Sequence, residues 1–117
     1  MGTHADMADK WDLFDQAVDL IADAKPAEAV AKYEEAIALD ADFADAWQGL
    51  ALVLNELGQH PRAIEAGKRL CELTPDDVLA HTTLSRIYQA AGMVPEAEAE
   101  GGKARLLDWK RQLKEGA

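Results

Sequence analysis

The residues able to do chemistry are few in this 117-residue chain: three histidines (His4, His60 and His81) and one cysteine, Cys71. No two histidines stand four residues apart, so no single helix aims two imidazoles at one ion. A zinc site needs several ligands converging at fixed spacing, and the sequence shows no such pattern. Cys71 falls on the apolar face of a helical segment, where a thiol packs as a small hydrophobe and is not activated as a nucleophile. Carboxylate pairs such as Glu34-Glu35 and Asp76-Asp77 are plentiful. Nothing beside them would desolvate one member and split their pKa values, as acid–base catalysis needs, so they read as solvated faces or helix N-terminal charges. A phosphate-binding glycine loop, a dinucleotide-binding glycine pattern and a nucleophile elbow are all missing. The sequence therefore points away from an enzyme, with no catalytic residue, no metal site and no cofactor expected.

Charge narrows the choice of partner. The net charge of −10 opposes binding to nucleic acid phosphates and to anionic lipid. It is concentrated in residues 1–58, which hold 13 acids and 3 bases, against 9 of each in residues 59–117. A partner meeting the first half should be neutral or basic. The single cysteine excludes an internal disulfide and favours a reducing compartment. The N-terminal residues lack the basic and apolar regions of a signal peptide, and no apolar run approaches membrane-spanning length. A soluble, cytoplasmic protein is expected.

The elements that must position any site follow from self-similarity, the first thing to seek in such a chain. A shift of 34 residues superposes Ala29, Ala63 and Ala97. The same shift superposes Leu39, Leu73 and Leu107, then Leu20, Leu54 and Tyr88, then Ala17, Ala51 and Ser85. Each unit reads as two helices and a tight turn. Trp47, Leu50, Ala51, Leu54 and Leu57 recur at three- and four-residue spacing, marking an amphipathic helix. Gly58 ends it, Pro61 opens the next, and Thr74-Pro75 stops that one. Helices are expected near 8–24, 26–40, 43–57, 60–73, 76–91 and 95–115. They make one domain over residues 8–117 after a disordered tail, 1–7, with repeats 10–43, 44–77 and 78–111 and a capping extension, 112–117.

These repeats resemble the tetratricopeptide repeat (TPR). Trp47, Leu50, Ala51, Gly58, Ala63 and Pro75 stand where that family's signature residues stand. The first repeat matches through Ala17, Leu20, Ala29, Tyr33 and Ala36, and the third through Leu84, Tyr88, Gly92, Ala97 and Ala104. The resemblance implies an all-α, right-handed solenoid whose first helices line a concave groove that holds peptides or protein segments. Departures from the pattern matter too. Gly67 and Gly101 replace the bulky residue expected in the second helix, so a packing reason is expected at Gly67. Gly101-Gly102 should be a weak or bent point in the last helix.

The resemblance places groove-lining side chains at set positions of each first helix. In the first repeat these include Trp11, Phe14, Asp15, Val18 and Ile21. Asp45, Gln48, Leu52 and Asn55 follow in the second, and Leu79, Thr83 and Arg86 in the third. The first set is unusually apolar for a surface, and Leu13, Ala17, Leu20 and Ala24 already supply a core face behind it. Trp11 and Phe14 are therefore either anchors for a partner or caps of the solenoid. The expected function is an adaptor that binds an apolar, neutral or basic protein segment, with Asp15 and Asp45 facing a base and Arg86 taking a carboxylate or carbonyl. The alternative is a self-associating scaffold, a weak homo-oligomer in which the acidic first half meets the basic last helix. Chaperone-binding members grip an acidic C-terminus with Lys, Asn, Asn, Lys and Arg. Here Phe14, Val18, Gly49, Leu79 and Thr83 hold those positions, so no such grip is expected.

Overall fold

In the computed structural model, which describes residues 9–116, the chain is a succession of six α-helices. They are α1 (Lys10–Ala22), α2 (Pro26–Leu39), α3 (Ala44–Glu56), α4 (His60–Leu73), α5 (Val78–Ala90) and α6 (Val94–Gly116). The expected disordered tail, residues 1–7, lies outside the described residues. Among those residues there is no strand, and no helix is long and apolar enough to cross a membrane.

Local signals set each boundary. Asp9 caps α1, its carboxylate accepting from the Asp12 N–H at 2.8 Å while the Asp12 carboxylate takes the Asp9 N–H at 3.3 Å. This reciprocal box satisfies two otherwise orphaned donors. Pro26 and Pro61 sit in the first turns of α2 and α4, where a missing N–H costs nothing. Asp77 caps α5 by accepting from the Leu79 N–H at 3.0 Å.

All three first helices end in the same turn. The Lys25, Gln59 and Met93 amides donate to Leu20, Leu54 and Tyr88 carbonyls at 2.8, 2.9 and 2.8 Å. The residue before each amide is left-handed: Ala24 at φ 60°, Gly58 at 77° and Gly92 at 77°. This is the glycine-favouring helix terminator, and in the first repeat an alanine occupies it under strain. Ala24, expected on the core face, is exposed for this reason.

The hairpins α1–α2, α3–α4 and α5–α6 stack so that α2 meets α3, and α4 meets α5. The repeat-defining alanines Ala29, Ala63 and Ala97, one on the second helix of each hairpin, are all buried. A continuous core runs from Leu13 and Ala17 through Tyr33 and Phe43 to Leu50, Leu54 and Ile87. A smaller cluster of Leu84, Tyr88 and Ala97 lies under the third hairpin, with Cys71 and Met93 packed against it. Removing a side chain such as Leu54 or Ile87 from water stabilises the fold by about 1.5–3 kcal/mol each. Gly67 has the packing reason expected of it, because a Cβ there would come within 3.0 Å of Leu84 Cδ1. At Gly101-Gly102, where a weak or bent point is expected, α6 runs on without a break. Leu39, aligned by the repeat with Leu73 and Leu107, is exposed.

Candidate functional site

Tyr33, on α2, organises the face formed by the first helices. Its ring is 3% exposed and reaches across to Gly49 on α3. A Cβ built on Gly49 would lie 2.3 Å from the Tyr33 Cζ, so only glycine leaves room for this ring. Tyr33 thereby forms the floor of an apolar pocket of about 190 Å³ between α1 and α3, walled by Ile21, Leu52, Val53 and Glu56. Burial pushes the Tyr33 phenol above its ordinary range. The next junction is built differently. The Gln48 side-chain amide donates to Thr83 Oγ1 at 2.8 Å and ties α3 directly to α5.

The side chains expected in the groove therefore divide into free and committed. Val18, Leu52, Leu79, Asp45 and Arg86 are exposed, and among the described residues no carboxylate lies within ion-pair distance of Arg86. Leu79 is 56% exposed, a large apolar side chain held in water. Gln48 is engaged with Thr83, and the Asn55 side-chain Oδ1 lies 3.2 Å from His60 Nδ1. Thr83 is buried. Phe14 is half-buried and packs between Tyr33 and Phe43, each 5.8 Å away between ring centres. Trp11 stands edge-on to Phe43 at 4.8 Å and keeps 48% of its surface exposed, so it braces the first hairpin and also presents a face outward. Lys10 lies over the same Phe43 ring and pairs with Asp40, whose carboxyl is held below the usual range by that hydrogen bond.

The opposite face carries a second apolar pocket of about 310 Å³, between α2 and α4. Ile37, Trp47, Leu50 and Leu54 line it, and Glu34 and Arg62, paired at 2.6 Å, belong to its wall.

One cluster escaped the sequence reading. Its spacing gave no sign of converging metal-ligand types, yet the fold brings Cys71 of α4, His81 of α5 and Glu100 of α6 within 4.8 Å of one another. His81 Nδ1 lies 2.8 Å from Glu100, its Nε2 donates to the Pro75 carbonyl at 2.7 Å, and Lys103 donates to the other Glu100 oxygen at 2.8 Å. Burial works to raise the Glu100 carboxyl, but the hydrogen bonds from Lys103 and His81 outweigh it and hold the group below its ordinary value. Burial, with the Glu100 charge, pushes the Cys71 thiol up to about 11, so Cys71 is no activated nucleophile.

Comparison with known proteins places these features in context. The family model described as tetratricopeptide repeat matches residues 14–78. A search of curated proteins by sequence finds no match. Among solved structures, MamA superposes with a TM-score of 0.83 at 25% identity, covering 88% of this chain and 60% of MamA. The chain thus spans about six tenths of that relative's length. The Yersinia enterocolitica type III secretion translocator chaperone SycD gives 0.78 at 18% identity, covering 84% of this chain and 74% of SycD. The second repeat domain of Spaghetti, solved with an HSP90 peptide, gives 0.79 at 16% identity, covering 92% of this chain and 99% of that one. At these last two identities the likeness concerns the fold alone.

Proposed function

The chain belongs to the tetratricopeptide repeat family, a fold that generally serves protein–protein interaction without catalysis, and on that premise we propose that it is an adaptor holding a segment of another protein in the groove of α1, α3 and α5. The repeat boundaries 10–43, 44–77 and 78–111, with residues 112–117 as a cap, belong to the same reading, as does a cytoplasmic location. The observation that carries the proposal is the pocket over Tyr33, flanked by the exposed Val18, Ile21 and Leu52. Exposed aliphatic side chains gathered around one opening, unlike singly scattered ones, mark an interaction site. The solved relatives are consistent with it: Spaghetti's domain is described bound to an HSP90 peptide, and another relative, YrrB, is described as having an unusual peptide-binding site.

The ligand that fits is a segment with an apolar side chain for the pocket and a basic residue beside it. Glu56 lines this opening, and Asp15 and Asp45 are exposed on the same helices, α1 and α3. Capture of partners on immobilised protein, identified by mass spectrometry, tests the reading against a Val18→Asp, Leu52→Asp variant. The variant should lose the specific partners while keeping its helical circular dichroism and thermal midpoint. Retention of those partners by the folded variant would refute the groove.

A self-associating scaffold is the second reading, favoured by the exposed Leu106, Trp109 and Leu113 on α6, a helix that also carries Lys103, Arg105, Lys110, Arg111 and Lys114. Exposed charge pairs contribute only about 0–1 kcal/mol each and are screened by salt. Light scattering that shows mass growing with concentration at low salt would support this reading over a simple adaptor.

A further inference from the structure

We propose that Cys71, His81 and Glu100 form a binding site for a divalent cation of the zinc class, with three protein ligands and a fourth position open to water. The three donors come from three consecutive helices, α4, α5 and α6, and all lie within 4.8 Å of one another. Tetrahedral zinc, with bonds of about 2.0–2.3 Å, places its donors roughly 3.3–3.6 Å apart. The His81–Glu100 separation of 2.8 Å must open by about half an ångström, and no donor pair must close by more than about 1.5 Å. Rotation of the Cys71 and Glu100 side chains, whose donors are terminal atoms, supplies movements of that size while His81 stays in place.

The orientation of His81 also suits a metal ligand. The Pro75 carbonyl accepts from Nε2 at 2.7 Å and so fixes a proton on that nitrogen. Nδ1, which faces Glu100 at 2.8 Å, is the nitrogen that can turn a lone pair to a metal once the proton it shares with Glu100 has left. A histidine that ligates a metal commonly donates its other N–H to a backbone carbonyl in this way, which fixes the tautomer and the ring plane. The donor set of one sulfur, one nitrogen and one oxygen suits zinc and its neighbours, and it disfavours magnesium or calcium, which take oxygen.

Access and charge fit as well. A pocket of about 310 Å³ opens onto all three ligands and gives an ion an entry path and room for a bound water. Without an ion, the Glu100 charge is compensated by Lys103, whose side chain is itself mostly exposed. An arriving cation would take over that role, and the ammonium has solvent to swing into. Binding replaces the Cys71 S–H bond by a sulfur–metal bond and releases the proton to solvent; where His81 Nδ1 also carries a proton to Glu100, that proton leaves too.

Cobalt(II), which substitutes for zinc and absorbs visible light, tests the site on the whole chain. The expected result is a one-to-one thiolate-to-cobalt charge-transfer band at mildly alkaline pH, displaced by zinc. Glu100→Gln should weaken binding at least tenfold, Lys103→Met should tighten it by removing a competing cation, and His60→Ala should leave it unchanged. Zinc should raise the thermal midpoint of the wild-type chain but not of Cys71→Ser, a readout that needs no change to the buried histidine. Absence of the band with cobalt in excess would overturn the proposal. So would a band whose dissociation constant ignores Glu100→Gln, because the carboxylate would then be no ligand.

Discussion

Adding one methyl group at Gly49 should destabilise this protein although it improves the local helix. Alanine in place of glycine within a helix ordinarily contributes about 0.5–1 kcal/mol. At Gly49 the new Cβ would lie 2.3, 2.5 and 2.6 Å from Cζ, Cε1 and Oη of Tyr33. The ring must therefore move by more than an ångström, and it is packed against Phe14, which contacts Phe43 and Trp11 in turn. Overpacking costs about 1–3 kcal/mol, and a 2.3 Å approach to a buried ring belongs in the upper half of that range, so the net loss should be about 1–2 kcal/mol, or roughly 4–8 °C in the thermal midpoint.

Two other helix glycines serve as internal controls. At Gly101 the nearest atoms, on Arg105 and Ser85, are 3.4 Å from the new Cβ, an ordinary contact, so Gly101→Ala should stabilise by the propensity term. Gly67 should fall between, with Leu84 Cδ1 at 3.0 Å on a buried side chain. Denaturant unfolding followed by circular dichroism should thus rank the variants Gly101→Ala, Gly67→Ala, Gly49→Ala from most to least stable. Combining Gly49→Ala with Tyr33→Leu should recover stability with a coupling of at least about 0.5 kcal/mol. A Gly49→Ala protein as stable as wild type, or additive behaviour in the double variant, would refute the account of the groove floor.

Other perturbations isolate single terms. Ala24→Gly should stabilise by about 0.5–1 kcal/mol in the same unfolding assay, since it relieves the left-handed alanine that Gly58 and Gly92 avoid. Tyr33 has a raised pKa in the folded state, so its contribution is intact below the ordinary phenol range near pH 10 and is lost as pH climbs through the folded value. Tyr33→Phe should consequently flatten the alkaline limb of the stability–pH curve, and an unchanged limb would contradict the burial argument. An acidic chaperone C-terminal peptide should show no micromolar binding by calorimetry, because Phe14, Val18, Gly49, Leu79 and Thr83 offer its carboxylates no charged donor. In the proposed groove, Arg86→Glu should weaken capture of a partner at constant thermal midpoint, whereas an unchanged partner set would remove Arg86 from the site.

Much of the fold was legible because the same packing problem is solved three times. Each helix lies within two residues, at either end, of where periodicity and punctuation put it. The repeat-defining buried alanines were legible for the same reason. Ala24 was misplaced because helical spacing alone cannot tell a core position from the left-handed residue one step past the helix end. The repeat itself held the clue, since Ala24 aligns with Gly58 and Gly92. The committed states of Gln48 and Asn55 depend on neighbours in adjacent elements, which a list of groove positions does not consult. The triad of Cys71, His81 and Glu100 was hidden for a related reason. Its members stand 10 and 19 residues apart on three helices, and no single helix face unites them. A polar pair buried under the third hairpin, His81 with Glu100, was the available signal.

The groove is not uniform along its length, and that bears on what it can hold. Between α1 and α3 the helices are spaced by Tyr33 and open into a pocket, while between α3 and α5 the Gln48–Thr83 hydrogen bond closes the gap. Charge follows the same division. The one base on α1, Lys10, is consumed by Asp40 and the Phe43 ring, which leaves Asp15 on α1 and Asp45 on α3 without a compensating cation on their own helices. The first helices offer a free base only at Arg86, on α5. In the proposed reading a ligand is therefore oriented as well as bound. Its apolar side chain enters over Tyr33 with a basic neighbour toward α1 and α3, and its carbonyl or carboxylate end runs toward Arg86. Reversing the segment would set like charges together at both ends, so polarity along one face supplies a direction that the apolar pocket alone could not.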